Sequence, residues 1–258
     1  AGAHVDLLLY DIKTYRLAQL EREVHGVCCH AWSGVLFVTV GTGRTARLVK
    51  FDLNTLEREE LFEWGDLPGG GLGVISADHR TGLIYTQAPP QDFRILTMDM
   101  ETRKTKVIHQ SPDIINPHLQ FRLHNARRIL IQENRGGMLD ADGNMARSCS
   151  ERGVDRPKAR VVFESTNIWN HMSVSRCGRY FVTDCYGLPG KPILIGSIRT
   201  GKTRVLCEAN TTGGGAQYTH LHPYMTSDSR WVVFNSDRTG LAQVYIASIP
   251  EGFLESLE

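Results

Sequence analysis

The segment ILTMDMETRKTKVI (95–108) carries the pattern on which the fold prediction rests. An apolar strand runs into a turn that begins at Asp99 and continues through Thr102, and a charged, alternating strand follows. Aspartate and serine begin such turns because their side chains accept hydrogen bonds from backbone amides shortly after them. The same pattern recurs as LLLYDIKTYRLAQL (7–20), RLVKFDLNTLEREEL (47–61) and ILIGSIRTGKTRVL (193–206).

A second kind of hairpin alternates with the first. It consists of a strand, a polar tip and a strand rich in β-branched and aromatic residues. It occurs at 28–40, 76–87, 121–132, 173–184 and 225–237. Two hairpins in every ~40–50 residues make a four-stranded unit, which is typical of β-propeller blades. A β-sandwich also contains many short strands, but it does not repeat two hairpins so regularly.

We therefore predict an all-β fold in which residues 1–258 form a single β-propeller domain of four-stranded blades. The repeats indicate five complete blades, preceded by a half-blade at 5–21. Propellers usually close with about four to eight whole blades. The opening residues could complete a blade with the chain end, or the chain could be the C-terminal part of a longer six- or seven-bladed parent. Our prediction is the second.

Composition narrows the range of partners. The chain has 29 basic and 28 acidic residues and a formal net charge of +1, so bulk charge does not favour nucleic acid. No apolar run approaches the ~18 residues needed to cross a bilayer. The six cysteines include no C-x-x-C pair. We expect ordinary buried thiols in a reducing compartment, hence a cytoplasmic protein without nucleic-acid or membrane partners.

The segment GGGAQYTHLHPYM (213–225) is the strongest candidate for a metal site. His220 and His222 are two residues apart, so on an extended strand both imidazoles would project from one face. Gln217 lies just upstream and can add an amide oxygen. His171 stands one blade earlier, directly before the matching hairpin, and is the predicted third imidazole. Two or three imidazoles and an amide oxygen suit a divalent ion such as Mn, Fe, Co, Ni or Zn. The alternative is that each histidine is separately hydrogen-bonded in a wet channel.

Further polar residues occupy corresponding places at strand ends. His118 begins the blade before His171 and is a candidate general base, since histidine titrates near neutral pH. Arg94, after a proline-rich loop, could hold a carboxylate, and Arg135 lies in a long polar loop predicted over 134–156. Weaker candidates at other strand ends are Asp184, Tyr186 and Asp237.

The pattern Gln217-x-x-His220-x-His222-Pro223, with the Asn170-His171 blade before it, resembles the C-terminal blades of oligogalacturonate lyases. The resemblance extends over the whole chain at the level of the repeats, but SDRTGLAQVYIA (236–247) is shared with TolB-type propellers generally. It implies a seven-bladed propeller in which His171, Gln217, His220 and His222 hold manganese. It also implies cytoplasmic cleavage of short galacturonate oligomers by β-elimination, as part of pectin degradation, with a histidine base and an assisting arginine.

By blade register, His118 and Arg94 fall where that base and that arginine would be, and Arg135 is a candidate for binding substrate. The implied partner is therefore an acidic oligosaccharide, and the oligomeric state is left open. Two other readings stay open as well. One is a non-catalytic TolB-like propeller that binds a protein or peptide, and the other is a metalloenzyme of different chemistry, such as a hydrolase or epimerase acting on another acidic sugar.

Overall fold

The computed structural model describes most of the chain. The described residues are 5–11, 13–30, 33–88, 92–112, 114, 117–122, 125–133, 147–153, 160–165, 169–213 and 217–258. Their regular structure is twenty β-strands and three short 3-10 turns. None of the described helical segments is long and apolar enough to span a membrane. The chain divides into two compact units, Ala1–Gln110 and Ser111–Glu258.

The first unit contains two antiparallel sheets whose strands follow one another in chain order. The five strands of the first sheet are β1 (Val5–Asp11), β2 (Arg16–His30), β3 (Val35–Val40), β4 (Arg47–Asp52) and β5 (Arg58–Glu63). The four strands of the second sheet are β6 (Val74–Ile75), β7 (Thr81–Ala88), β8 (Asp92–Asp99) and β9 (Thr105–Gln110). A 3-10 turn, Gly43–Thr45, precedes β4.

The second unit contains three sheets of the same meander type. The first has β10 (Gln120–Arg122), β11 (Asn125–Glu133), β12 (Arg147–Gly153) and β13 (Arg160–Ser165). The second has β14 (Trp169–Val174), β15 (Tyr180–Cys185), β16 (Pro192–Ser197) and β17 (Thr203–Glu208). The third has β18 (Tyr224–Met225), β19 (Trp231–Ser236) and β20 (Gln243–Ser248), with 3-10 turns at Gln217–Thr219 and Glu255–Leu257.

The predicted turn chemistry is present in all four repeats. The Asp99 carboxylate accepts the backbone N–H of Thr102 at 2.7 Å, and the Ser197 hydroxyl accepts that of Thr200 at 3.3 Å. The turns that begin at Asp11 and Asp52 are built in the same way. These side chains satisfy backbone donors that the strands leave behind, so the turn residues close each hairpin locally.

Packing between sheets of the second unit brings their first strands together. Every residue of β15 and β16 is buried, so this central sheet is covered on both faces. The large apolar side chains of the core include Phe181, Ile193 and Ile195, each with 0% exposure. The first strands β10, β14 and β18 are neighbours, β14 contacting each of the other two. Residues at the starts of these strands therefore lie near one another.

The all-β chain of propeller blades is confirmed, whereas the blade count and the seven-bladed parent stay predictions. The predicted half-blade at 5–21 is instead part of a larger sheet, because β2 is continuous and pairs with β1 along one half and β3 along the other. The predicted loop 134–156 contains strand β12. Cys28 and Cys185 are buried, but Cys177 is exposed, so the prediction of buried thiols is wrong there.

Candidate metal centre

Three histidines occupy the same position in the three sheets of the second unit. His118, His171 and His222 each stand two residues before a residue that pairs with the second strand: Gln120 pairs with Leu130, Ser173 with Val182 and Tyr224 with Val233. The backbone confirms the match between the outer two sheets. The carbonyl before His118 accepts the N–H of Gln132 at 2.8 Å, and the carbonyl before His222 accepts that of Asn235 at 2.8 Å.

His171 is the most firmly held of these imidazoles. It lies in β14 with 8% exposure, and its Nδ1 is 2.6 Å from Oδ2 of Asp184 at the end of β15. A carboxylate only accepts hydrogen bonds, so Nδ1 carries the proton and Nε2 keeps its lone pair. The amide Nδ2 of Asn170, a donor, lies 3.3 Å from Nε2, in agreement with this tautomer. When the ring is neutral, Nε2 is thus the nitrogen of His171 that can bind a metal.

His220 and His222 converge on the same point as His171. One nitrogen from each of the three rings lies within 4.8 Å of the other two. The ring centroid of His171 is 3.8 Å from that of His222 and 5.3 Å from that of His220. Nitrogens bound to one ion at about 2.1 Å can be at most about 4.2 Å apart, so small ring rotations would close the cluster on an ion.

The local backbone around these two histidines differs from the prediction. They do not lie on an extended inner strand, because β18 begins only at Tyr224 and a 3-10 turn occupies Gln217–Thr219. His222 has φ +42°, and the register-equivalent His118 has φ +39°. Non-glycine residues seldom adopt this left-handed conformation. The two imidazoles of the H-x-H pair therefore approach one another through a twisted segment, with centroids 5.9 Å apart, and not through strand pleating.

Electrostatics favour a neutral imidazole at His222. His222 is exposed as a residue, but the neighbouring side chains remove part of the water around its ring. This desolvation lowers the pKa of His222 to about 4, and the neighbouring His171 and His220 lower it further, while Asp184 opposes the shift. A neutral ring keeps the lone pair that binds a metal. The residues present therefore fit a divalent ion with imidazole ligands.

Tyr186 supports the segment that carries His220 and His222. Its hydroxyl accepts the backbone N–H of Leu221 at 3.1 Å, between the two histidines. Its ring contacts those of His171 and His220, with centroids 6.4 and 6.0 Å away. Burial, with a smaller contribution from the charge of Asp184, raises the pKa of Tyr186 to about 12. The phenol is therefore neutral at physiological pH and acts as a scaffold.

Replacing Tyr186 by phenylalanine is expected to lower the free energy of unfolding by about 1–3 kcal/mol, because the buried N–H of Leu221 loses its acceptor. Denaturant titration measures the change. Tyr218→Phe is the matched control, since Tyr218 is 69% exposed, and we expect a change within about 0.5 kcal/mol. Equal stabilities for wild type and Tyr186→Phe would show that the hydrogen bond contributes nothing.

Asp237 is a structural residue of the same region. It accepts the backbone N–H of Thr212 at 2.7 Å, as well as hydrogen bonds from the Thr212 and Thr211 hydroxyls. The Thr212 hydroxyl, followed by the Thr212 amide and the Thr211 hydroxyl, lowers the pKa of Asp237 to about 2. This carboxylate anchors the start of the glycine-rich segment to the end of β19, which agrees with a turn-stabilising role.

His118 lies beside the cluster without being one of its three members. Its ring centroid is 5.2 Å from that of His171, in an edge-to-face arrangement. Its Nδ1 lies 2.9 Å from Oε1 of Gln132. The amide oxygen accepts, so Nδ1 donates and Nε2 keeps a lone pair. The structure thus places a potential base next to a potential metal site.

The remaining predicted site residues are Arg94, Gln217 and Arg135. Arg94 lies on β8 in the first unit, where its guanidinium pairs with Asp92, with Nε 2.9 Å from the carboxylate. Gln217 begins the 3-10 turn before His220, and the position of its side chain is not described. Arg135 lies outside the described residues.

Sequence reasoning missed Gln132 and underrated Asp184. Both residues lie at the same position on the second strand of their sheets. Gln132 comes two positions after Leu130, which pairs with Gln120, and Asp184 comes two positions after Val182, which pairs with Ser173. The signal was available in the repeat, because Gln132 follows His118 by 14 residues and Asp184 follows His171 by 13. A polar residue 13 or 14 positions after each histidine predicts a partner on the adjacent strand, since metal-binding histidines usually donate their other ring N–H to such a group.

Comparison with known proteins adds to this picture. No protein-family model matches the chain. A stretch of 71 residues is 34% identical to an oligogalacturonide lyase of Pectobacterium atrosepticum; it covers 26% of this chain and 18% of that protein. The chain thus matches less than a fifth of the length of this curated relative.

Solved structures extend the likeness to nearly all of the chain. An oligogalacturonate lyase in complex with manganese has a TM-score of 0.60 at 17% identity, over 96% of this chain and 83% of that one. TolB from Acinetobacter baumannii has a TM-score of 0.70 at 15% identity, over 94% of this chain and 57% of that one. The predicted resemblance to oligogalacturonate lyases is confirmed, and the structural likeness establishes the β-propeller fold.

Proposed function

We propose that this chain, which resembles oligogalacturonate lyases in sequence and fold, is a metal-dependent lyase that cleaves short galacturonate or related uronate oligosaccharides by β-elimination. The observation that carries the proposal is the convergence of His171, His220 and His222, with the ring of His118 beside that of His171. A propeller that only binds a partner has no need of this arrangement. We place the proposed lyase in the cytoplasm, where it would take part in the breakdown of pectin fragments.

The metal ligands in this proposal are His171, His220 and His222, with Gln217 as a fourth. Manganese is the proposed ion, since a similar solved structure is a manganese complex. When bound, the ion would neutralise the substrate carboxylate and stabilise the negative charge that develops as the adjacent C5 proton leaves. The three imidazoles would hold that charge centre at one side of the substrate.

His118 is the proposed base. Its Nδ1–H is directed to Gln132, so Nε2 is the atom that accepts the C5 proton. The electrons of the C5–H bond form the C4=C5 double bond, and the C4–O glycosidic bond breaks. The departing oxygen takes a proton, which gives a shortened oligosaccharide and a 4,5-unsaturated uronate. No oxidant or reductant is needed, because elimination only redistributes electrons within the substrate.

An arginine would hold a second carboxylate of the acidic substrate. Arg94 and Arg135 are the proposed residues, because a guanidinium binds a carboxylate through two parallel hydrogen bonds. Arg94 already makes such a contact with Asp92. A substrate carboxylate would have to replace that partner.

The likeness to TolB favours one alternative, a propeller that binds a protein or peptide without catalysis. It predicts no stoichiometric metal. A hydrolase or epimerase of another acidic sugar shares the metal but not the unsaturated product. Metal content separates the first alternative from our proposal, and product analysis separates the second.

The test is an assay of the purified chain with di- and trigalacturonate after loading with Mn²⁺. We expect the ultraviolet absorbance of a 4,5-unsaturated uronate to rise with metal present and to stop rising after chelation. The matched control substrate is the neutral galactose oligomer, which lacks the carboxylate that acidifies C5 and should give no product. If metal binds but no unsaturated product forms, the lyase proposal is wrong and a metalloenzyme acting on a sugar acid by another reaction is supported. If the chain binds no metal, the result supports the alternative of a non-catalytic propeller that binds a protein or peptide.

A further inference from the structure

Asp184 is the only carboxylate among the three register-equivalent partners of the histidines. Sheet by sheet, the partner position on the second strand holds Gln132, Asp184 and Asn235. Gln132 is a neutral amide that faces His118, and Asn235 is the residue equivalent to it in the third sheet. The same supporting position therefore occurs in all three sheets, and it holds an acidic residue only in the middle one.

The Asp184 carboxylate is fully buried, so the groups that hydrogen-bond to it indicate its role. Asp184 has 0% exposure, and an ionised carboxylate is costly to bury unless hydrogen bonds compensate it. Its Oδ1 accepts the backbone N–H of His171 at 2.8 Å and that of Asn170 at 3.1 Å. Its Oδ2 is left for the imidazole Nδ1 of His171, 2.6 Å away.

The two oxygens have separable consequences. Oδ1 fixes the backbone on which His171 is mounted, whereas Oδ2 fixes the ring and its proton. Since Oδ2 can only accept, it holds the proton on Nδ1 and makes Nε2, which Asn170 Nδ2 approaches to 3.3 Å, the ring nitrogen that can bind a metal. Outer carboxylates that accept from a ligand histidine fix its tautomer and increase its basicity in metal proteins.

We infer that Asp184 is a positioning residue of the metal centre, which holds His171 in the one tautomer and orientation that can bind an ion. The inference rests on the proposed function insofar as it takes His171 to be a ligand. It adds a residue that never touches the metal or the substrate. His118 differs from His171 in this respect, because the partner of its Nδ1 is an uncharged amide.

The tautomer is tested first in the metal-free wild type. Nitrogen-15 NMR of ring-labelled histidine distinguishes a protonated Nδ1 from a protonated Nε2, and assignment uses a His171→Gln variant. We expect His171 to carry its proton on Nδ1. A proton on Nε2 would overturn the inference, and this outcome does not depend on whether Asp184→Asn folds.

The affinity is tested with Asp184→Asn. Asparagine keeps an oxygen for the two backbone amides, but its NH₂ group then faces Nδ1 and forces the proton onto Nε2. We expect the Kd for Mn²⁺, measured by calorimetry, to rise about 10–100-fold. The lyase assay is not used here, so the result does not depend on turnover.

The matched control is Thr183→Val. The Thr183 hydroxyl donates to the backbone carbonyl of His171 at 2.8 Å, so this variant disturbs the same residue without touching the ring. We expect thermal stability to fall and the Kd for Mn²⁺ to stay within about twofold. Equal weakening by both variants would reduce Asp184 to a structural residue and overturn the inference.

The outcomes also separate the inference from the proposed function. If wild type and Asp184→Asn bind Mn²⁺ equally well, the inference fails and the metal-dependent lyase stands. If the wild type binds no Mn²⁺, both fail.

Discussion

Replacing His220 and His222 together by alanine is expected to abolish stoichiometric binding of a divalent metal. The pair supplies two of the three imidazole nitrogens that lie within 4.8 Å of one another. The loss of a mere outer-shell partner weakens metal binding by about 10–100-fold, so the loss of two direct ligands should weaken it further. Elemental analysis after loading with Mn²⁺ and desalting should find about one equivalent in the wild type and none in the variant.

A control shows whether the metal belongs to the cluster. His25→Ala/His109→Ala also removes two imidazoles, one on β2 and one on β9, both in the first unit. This variant should keep its equivalent of metal. Equal loss in both double variants would indicate adventitious binding by histidines in general. Full retention in the His220/His222 variant would place the metal elsewhere in the chain.

Replacing His118 by alanine is expected to lower the turnover of uronate oligosaccharides by about 10²–10⁴-fold while metal content stays unchanged. The side chain lies outside the three-histidine group, yet its ring is 5.2 Å from that of His171. The hydrogen bond from Nδ1 to Gln132 leaves Nε2 to take the proton. A base that is not a ligand should affect the chemical step and leave the ion in place.

Chemical rescue distinguishes a base from a packing residue. Added imidazole should restore part of the turnover of His118→Ala, because a small base can enter the space left by the side chain. The same additive should not change the wild type. Full turnover in His118→Ala with unchanged metal would show that another residue removes the proton. Loss of metal in this variant would instead make His118 an additional ligand.

The local elements of the fold were predictable because their causes are local. The turns at Asp11, Asp52, Asp99 and Ser197 depend on a side chain and an amide three residues later, and both lie in one short segment. The repetition of hairpins then predicted four-stranded meanders. The sequence did not predict that β2 is one continuous strand. It pairs with β1 along one half and with β3 along the other, and this depends on contacts between strands and not on the residues of one segment.

The candidate site was predictable in composition but not in geometry. The shared register of His118, His171 and His222 follows from the repeat, so their proximity could be expected. The left-handed conformation of His222 could not, because histidine adopts it more often than most non-glycine residues but still only in a small share of cases. The H-x-H spacing indicated two imidazoles on one face, and folding brought them together by a different backbone path.

The residues alone therefore establish an all-β chain of repeated hairpins and the histidines available to a metal, because periodicity and spacing lie within single segments. Tertiary structure decided how those histidines are used. The buried carboxylate of Asp184 reaches His171 from the adjacent strand, and the Tyr186 hydroxyl holds the backbone between His220 and His222 from the neighbouring sheet. Such contacts join residues 13 and 35 positions apart, and they exist only once the sheets have packed.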